Sequence, residues 1–141
     1  MKQLLLFPLL LLVIVLHGQS FSGSWRGTLT RDFGSETKTD SIEIDLKQDG
    51  DQLKGYSTLY IGPGIFIRSK ISGAYHASTK TLRLTETGID YTNLPDRGEE
   101  FYLDRYLLSY DENEKQILTG KSISCDKKTL YTRSKIAVKK S

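Results

Sequence analysis

Turn-forming residues break the chain after residue 20 into segments of nine to eleven residues, and none of these segments carries a helical stripe. A helix needs an apolar face recurring every three or four residues, whereas a half-buried strand needs only alternation. Alternation is what the segments show. In Ile42-Glu43-Ile44-Asp45-Leu46-Lys47 the apolar and charged residues fall on opposite faces, and Leu82-Arg83-Leu84-Thr85 repeats the pattern. Composition agrees: beyond residue 20 the chain has three alanines against thirteen threonines and eight tyrosines. That balance suits pleated strands, where β-branched and aromatic side chains pack well, better than helices, where alanine would dominate.

The turn signals predict eight strands, over Ser24–Asp32, Asp40–Gln48, Gln52–Ile61, Ile65–Tyr75, Thr81–Ile89, Phe101–Tyr110, Gln116–Ser124 and Thr129–Val138. Every link is short enough for a hairpin except Phe33–Thr39 and Tyr91–Glu100. Consecutive hairpins without a crossover helix make an antiparallel meander, and such a sheet removes its exposed edges by closing on itself. The expected fold is all-β: one eight-stranded up-and-down barrel over residues 21–141, just wide enough to be filled by side chains or to hold one small ligand. Apolar-x-Gly recurs at Trp25-Arg26-Gly27, Leu53-Lys54-Gly55, Ile71-Ser72-Gly73 and Leu118-Thr119-Gly120. Glycine at such positions lets a strand coil around a narrow barrel.

Residues 1–20 have a different character. Met1-Lys2-Gln3 carries one positive charge, Leu4 to Leu16 is an unbroken apolar run, and His17-Gly18-Gln19-Ser20 ends it with small and polar residues. This is the order of a secretory signal peptide, too short to span a bilayer comfortably, with cleavage expected after Gly18, Gln19 or Ser20. The lone Cys125 allows no disulfide within the chain, which tilts the expectation towards a bacterial periplasmic or secreted protein. No cysteine stands at the cleavage region for a lipid anchor, so a soluble monomer without a transmembrane segment is expected. Removing Lys2 leaves 19 basic against 17 acidic residues, or +2. That is too weak a balance for a strongly basic nucleic-acid binder.

Two short motifs carry a resemblance. Gly23-Ser24-Trp25 at the head of the first strand resembles the G-x-W signature of lipocalins, and Leu53-Lys54-Gly55-Tyr56 and Ile71-Ser72-Gly73-Ala74-Tyr75 are similar to avidin strand motifs. The resemblance implies a lipocalin-like, calycin-type barrel over residues 21 to 138 and a ligand-binding habit. The chain departs from lipocalins in having no helix signal after its last strand and no disulfide. It departs from avidins in having Trp25 as its single tryptophan.

A meander puts alternate links at opposite ends. Asp49–Asp51, His76–Lys80 and Asp111–Lys115 share one end with both termini, and the segment around Trp25 is expected to close it. The other end, with Phe33–Thr39, Gly62–Gly64, Tyr91–Glu100 and Cys125–Lys128, is expected to be the mouth, since binding groups gather on long loops over a rigid scaffold. Near the closed end the inward register is apolar: Trp25, Leu46, Leu53, Ile71, Leu82, Leu118 and Ile136. Towards the mouth it gives Ser57, Ser69, Glu86, Ser122, Ser124, Thr132 and Ser134, with Arg105 joining if Phe101 and Leu103 face inward. Small hydroxyls leave volume and present donors and acceptors, so Glu86, Arg105, Ser57, Ser69, Ser122 and Thr132 are the candidate ligand-binding residues. An inward carboxylate is costly unless satisfied, so Glu86 pairs either with Arg105 or with a ligand.

Catalysis is not expected. His76 is the only histidine beyond the leader and falls in a closed-end turn, so neither a zinc set nor a Ser-His-Asp set can be assembled, and no metal or cofactor is expected. Asp49-Gly50-Asp51 is too short for a calcium loop and reads as a hairpin turn. An outer-membrane barrel would need an apolar outer band, but Glu43, Asp45, Lys47, Lys54, Lys70 and Arg83 line the face opposite the apolar register. Two functions stay open: a barrel that binds a small, partly polar ligand, or a filled barrel acting as an envelope interaction or inhibitor module through its tyrosine-bearing outer face.

Overall fold

Eight strands with one apolar face each must hide that face, and they do so by closing into a ring. A computed structural model of the chain describes residues 20–95, 103–111, 113–124, 131 and 133–141. Strands β1 (Gly23–Asp32), β2 (Thr37–Asp49), β3 (Gln52–Gly62), β4 (Ile65–His76), β5 (Thr81–Thr92), β6 (Asp104–Asp111), β7 (Glu114–Ser124) and β8 (Arg133–Lys140) follow one another around it. Each is antiparallel to its neighbours, and β8 returns to pair with β1 in a closed barrel. Among the described residues no helix is long and apolar enough to cross a membrane. Residues 1–19, Cys125 and Thr132 lie outside the described residues.

Most boundaries fall within a few residues of the sequence expectation, with one informative exception. The β1–β2 ladder continues to Asp32↔Thr37, so the anticipated long Phe33–Thr39 link is a tight turn closed by Phe33 N–H donating to Glu36 O at 2.9 Å. The cause is β-branched pairing: the Thr30 and Thr39 hydroxyls, opposite each other in the ladder, share a 2.9 Å hydrogen bond. At Gly62-Pro63-Gly64 the turn needs Pro63 to fix one dihedral and Gly64 to adopt φ +69°, the pattern of a type II turn.

The recurrent inner glycines have a direct mechanical role. A Cβ on Gly27 would lie 1.8 Å from Ala137 O, on Gly55 1.7 Å from Asp45 O, on Gly73 1.8 Å from Arg83 O and on Gly120 1.9 Å from Leu107 O. At each, the neighbouring strand's backbone occupies the space of a side chain, which is how the sheet bends tightly enough to close.

The core fills the half of the barrel that carries the termini. Trp25, Leu29, Ile44, Leu53, Leu82, Leu84, Leu118 and Ile136 are wholly buried there. Phe21, just ahead of β1, lies across the end of the barrel, with ring centroids 4.7 Å from Tyr75 and 5.7 Å from Tyr110. Trp25 Nε1–H donates to Phe21 O at 2.9 Å, so the buried indole is satisfied without water. Lys54, Lys70 and Arg83 are exposed on the outer face, where a lipid-facing barrel would present an apolar band.

Candidate functional site

Towards the opposite end, the inward registers pass from aliphatic side chains into a polar layer, beyond which Leu59 and Ile67 follow on β3 and β4. β3 carries Ser57, β4 carries Ser69 directly opposite it, and β5 carries Glu86 two residues beyond Leu84. Ser57, Ser69, Glu86, Asp104 and Ser122 are all buried, as is Tyr106, which stands beside Leu84 in the β5–β6 ladder.

All of these but Ser69 belong to one hydrogen-bonded chain. Glu86 Oε1 accepts from Ser57 Oγ–H at 2.8 Å and from the Tyr106 phenol at 2.5 Å. Glu86 Oε2 accepts from the backbone N–H of Asp104 at 2.9 Å. The Asp104 carboxylate in turn accepts from the Tyr131 phenol at 3.0 Å, and Tyr131 shares a 2.8 Å hydrogen bond with Ser122 Oγ. At the rim, Arg31 continues the inward register of Trp25 and Leu29 and pairs with Asp40 at 2.8 Å. The Arg31 guanidinium also lies over the Phe33 ring, which meets Tyr131 edge-on.

Electrostatics follow from this geometry. Burial, and then the charge of Glu86, push the Asp104 carboxyl up to about 6, although the Tyr131 hydrogen bond and Arg31 pull the other way. Burial and the same carboxylates hold the Tyr106 phenol well above its ordinary range, and burial and Asp104 raise Tyr131. Both tyrosines therefore keep their protons and act as donors to carboxylates. Phenol donors thus satisfy buried carboxylate oxygens directly.

Glu86, Ser57, Ser69 and Ser122 point into the barrel as the alternation requires, and three of these four share the chain. Arg105 does not join them. It is exposed on the outer face, in register with Thr85 and Ile123, so the Glu86–Arg105 pairing is corrected: β6 turns Asp104, Tyr106, Leu108 and Tyr110 inward. The segment Phe101–Tyr110 is apolar on both faces, so alternation could not choose between them. Packing chose the face that buries Tyr106 and Leu108 and leaves the guanidinium in water. Asp104, Tyr106, Tyr131 and Arg31 were missed for that reason, or because they lay at strand ends. The Leu84–Glu86 register was the available signal, since any inward residue of β6 beside it had to supply a donor.

The chain of bonds reaches the surface on one side. The β7–β8 ladder stops at Gly120↔Ile136, and beyond it a cleft of about 440 Å³ opens between the strands. Ser122, Tyr131 and Ser134 line it, with Lys121 and Arg133 beside them. Ser134 Oγ accepts from Ser122 N–H at 2.8 Å and donates to Ser122 O at 2.7 Å, so a side chain stands where a backbone partner would otherwise be.

No known protein family, curated protein or solved structure matches this chain. The architecture is that of a closed, eight-stranded up-and-down barrel, compatible with the lipocalin-like or calycin-like folds that its motifs resemble.

Proposed function

We propose that this chain is an exported, non-catalytic barrel that holds a small, partly polar ligand in its mouth half. One observation carries the reading: a buried layer of hydroxyls and carboxylates interrupts the aliphatic inward registers, and through Ser122 and Tyr131 it reaches a cleft of about 440 Å³. Pockets of this size with a few convergent polar groups are the usual form of small-ligand sites. The ligand contacts are Ser122, Tyr131 and Ser134, backed by Asp104 and Glu86, with Lys121 and Arg133 at the rim. Export rests on the charged, apolar and small-residue order of residues 1–20.

The test is native mass spectrometry of the protein recovered from its own compartment. A small-molecule mass that travels with the folded barrel and is released on unfolding is the expected result. A bare polypeptide mass in every preparation counts against the reading.

A second reading rests on a different surface. Tyr60, Phe66 and Tyr91 form a row across the outer face of β3, β4 and β5, with ring centroids 6.1 and 5.6 Å apart. Tyr60 and Tyr91 are 39% and 57% exposed, and Arg68 lies over Tyr56 nearby. Aromatic and arginine side chains are enriched at the centres of protein interfaces, so this row is where an interaction module would dock.

A further inference from the structure

The charges on the outer wall are sorted by strand. Segments 81–85 of β5, 105–109 of β6, 117–123 of β7 and 133–139 of β8 contain no acidic residue. They turn Arg83, Arg105, Lys121, Arg133, Lys135 and Lys139 out to solvent, all of them exposed. The four ion pairs among the described residues engage none of these six: they join Arg26 to Glu43, Arg31 to Asp40, Lys38 to Glu36 and Arg68 to Asp90. Beyond residue 20 the chain has 19 basic and 17 acidic residues, and setting the six aside leaves 13 against 17. The small net charge thus hides one strongly basic face and an acidic remainder. The registers gather five of the six. Arg83 stands beside Leu107 and Leu107 beside Lys121, while Thr85 stands beside Arg105 and Arg105 beside Ile123. On β8, Lys135 and Arg133 flank Ser134, which bonds to Ser122 between Lys121 and Ile123, so they continue the two rows. Four strands span about 14 Å and two rows about 7 Å. Five cations therefore frame a strip in which Leu107 is half-buried and Ile123 is 42% exposed.

We infer that this face is a peripheral docking surface for an anionic lipid bilayer, with β6 to β8 laid against the headgroups and Ile123 dipping beneath them. Like charges set this close repel one another, and a surface of many anions relieves that repulsion. The centre of the strip selects a bilayer among polyanions. Leu107 and Ile123 offer nothing to a phosphate backbone or a sulfated glycan, whereas beneath a layer of headgroups they meet an apolar phase. Nor do the four segments turn an aromatic ring outward, on which bases would stack. Each cation held near an anionic bilayer raises partitioning on the order of fivefold, so one binds weakly and five together bind firmly. The attraction is screened by salt, over a length of about 10 Å at 0.1 M. The barrel lies on the membrane and does not span it. The cleft beside Ser122 and Tyr131 opens in this same face, but the docking rests on the outer side chains and holds whether or not the cleft takes a ligand.

The test is co-sedimentation of the folded protein, recovered from its own compartment, with sucrose-loaded vesicles. These are made of phosphatidylcholine alone or with about one-third phosphatidylglycerol. Binding to the anionic vesicles should exceed binding to the neutral ones by about tenfold or more, and the excess should vanish at high salt. Arg83→Gln with Lys135→Gln, at two positions that do not line the cleft, should weaken anionic binding by about tenfold or more. Lys47→Gln with Lys54→Gln lowers the net charge equally from β2 and β3, across the barrel, and should change it by less than about threefold. Ile123→Ser should weaken it by about threefold at every salt concentration. The inference is overturned if neutral and anionic vesicles bind alike, a comparison that needs no variant to fold. It is overturned equally if the two double variants lose affinity to the same extent, since net charge alone would then act. If Ile123→Ser binds vesicles as the parent does and heparin displaces them from both, the face is a site for soluble polyanions and the bilayer assignment falls.

Discussion

Tyr106 and Arg105 are adjacent in sequence and opposite in consequence. Tyr106 donates to a buried carboxylate, so Tyr106→Phe should cost about 1.5–3 kcal/mol, the range for hydrogen bonds to charged groups. Arg105 faces water, so Arg105→Met should change stability by less than about 0.5 kcal/mol. Urea denaturation of both variants at pH 7 checks the pair, and a larger loss in Arg105→Met would return β6 to the other register. Asp104 makes a pH prediction whose sign is fixed by its shift. Its carboxyl is raised from 3.8 to about 6 by folding, so the native state binds the proton more tightly than the unfolded chain. Its contribution is therefore fully present below about pH 4 and is lost as pH rises through 6, by at most about 3 kcal/mol. Asp104→Asn should remove that component, so wild-type stability minus variant stability should decline between pH 4 and 7. A difference that stays flat would mean that Asp104 is solvated.

At the scale of the element, strands bend only where side chains are missing. Because Ala137 O already occupies the position of a Cβ on Gly27, Gly27→Ala should cost about 1–3 kcal/mol or more, as overpacking does. Thermal or urea unfolding would register it, and a neutral result would show that β1 and β8 can part there freely. Trp25→Ala should cost about 3–5 kcal/mol in the same assay, because the indole is wholly buried and hydrogen-bonded to Phe21. A loss below 1 kcal/mol would make Trp25 peripheral to the core. Those two sites also mark what sequence could reveal. Turn chemistry, the inner glycines and the alternation in β2 and β5 are local, so strand count, order and the inward position of Glu86 were readable. The partners of Glu86 were not. They depend on which face β6 turns inward, a choice made by packing across strands, and β6 offers apolar residues to both sides. Tyr131 lies ahead of β8, where the turn signals predict that the last strand runs, and alternation with Thr132, Ser134 and Ile136 turns it outward, whereas it is buried.

Over the whole molecule, the barrel is asymmetric along its axis. One half is sealed by Phe21 and packed with aliphatic side chains, and the other carries a buried polar layer tied together by side-chain hydrogen bonds. A protein whose function lay only on its outer face would gain nothing from that second half, because a buried carboxylate costs stability that a leucine would not. The ligand reading explains the asymmetry, and it can be set against the interaction reading in one comparison. Ser122→Val with Tyr131→Phe strips the cleft of two hydroxyls and keeps its volume nearly constant. Tyr60→Ser with Tyr91→Ser removes two exposed rings from the outer row and touches nothing inside the barrel. Both double variants should retain the β-sheet spectrum of the parent. If the cleft is the site, native mass spectrometry should find a co-purifying molecule depleted tenfold or more from the cleft variant, a loss of about 1.4 kcal/mol in affinity, and undiminished in the outer variant. If the outer row is the working surface, its removal should instead abolish any protein partner that survives chemical cross-linking in the native compartment, and the cleft variant should keep that partner. A molecule retained equally by both variants would place the ligand elsewhere in the barrel and would remove the cleft from the proposal.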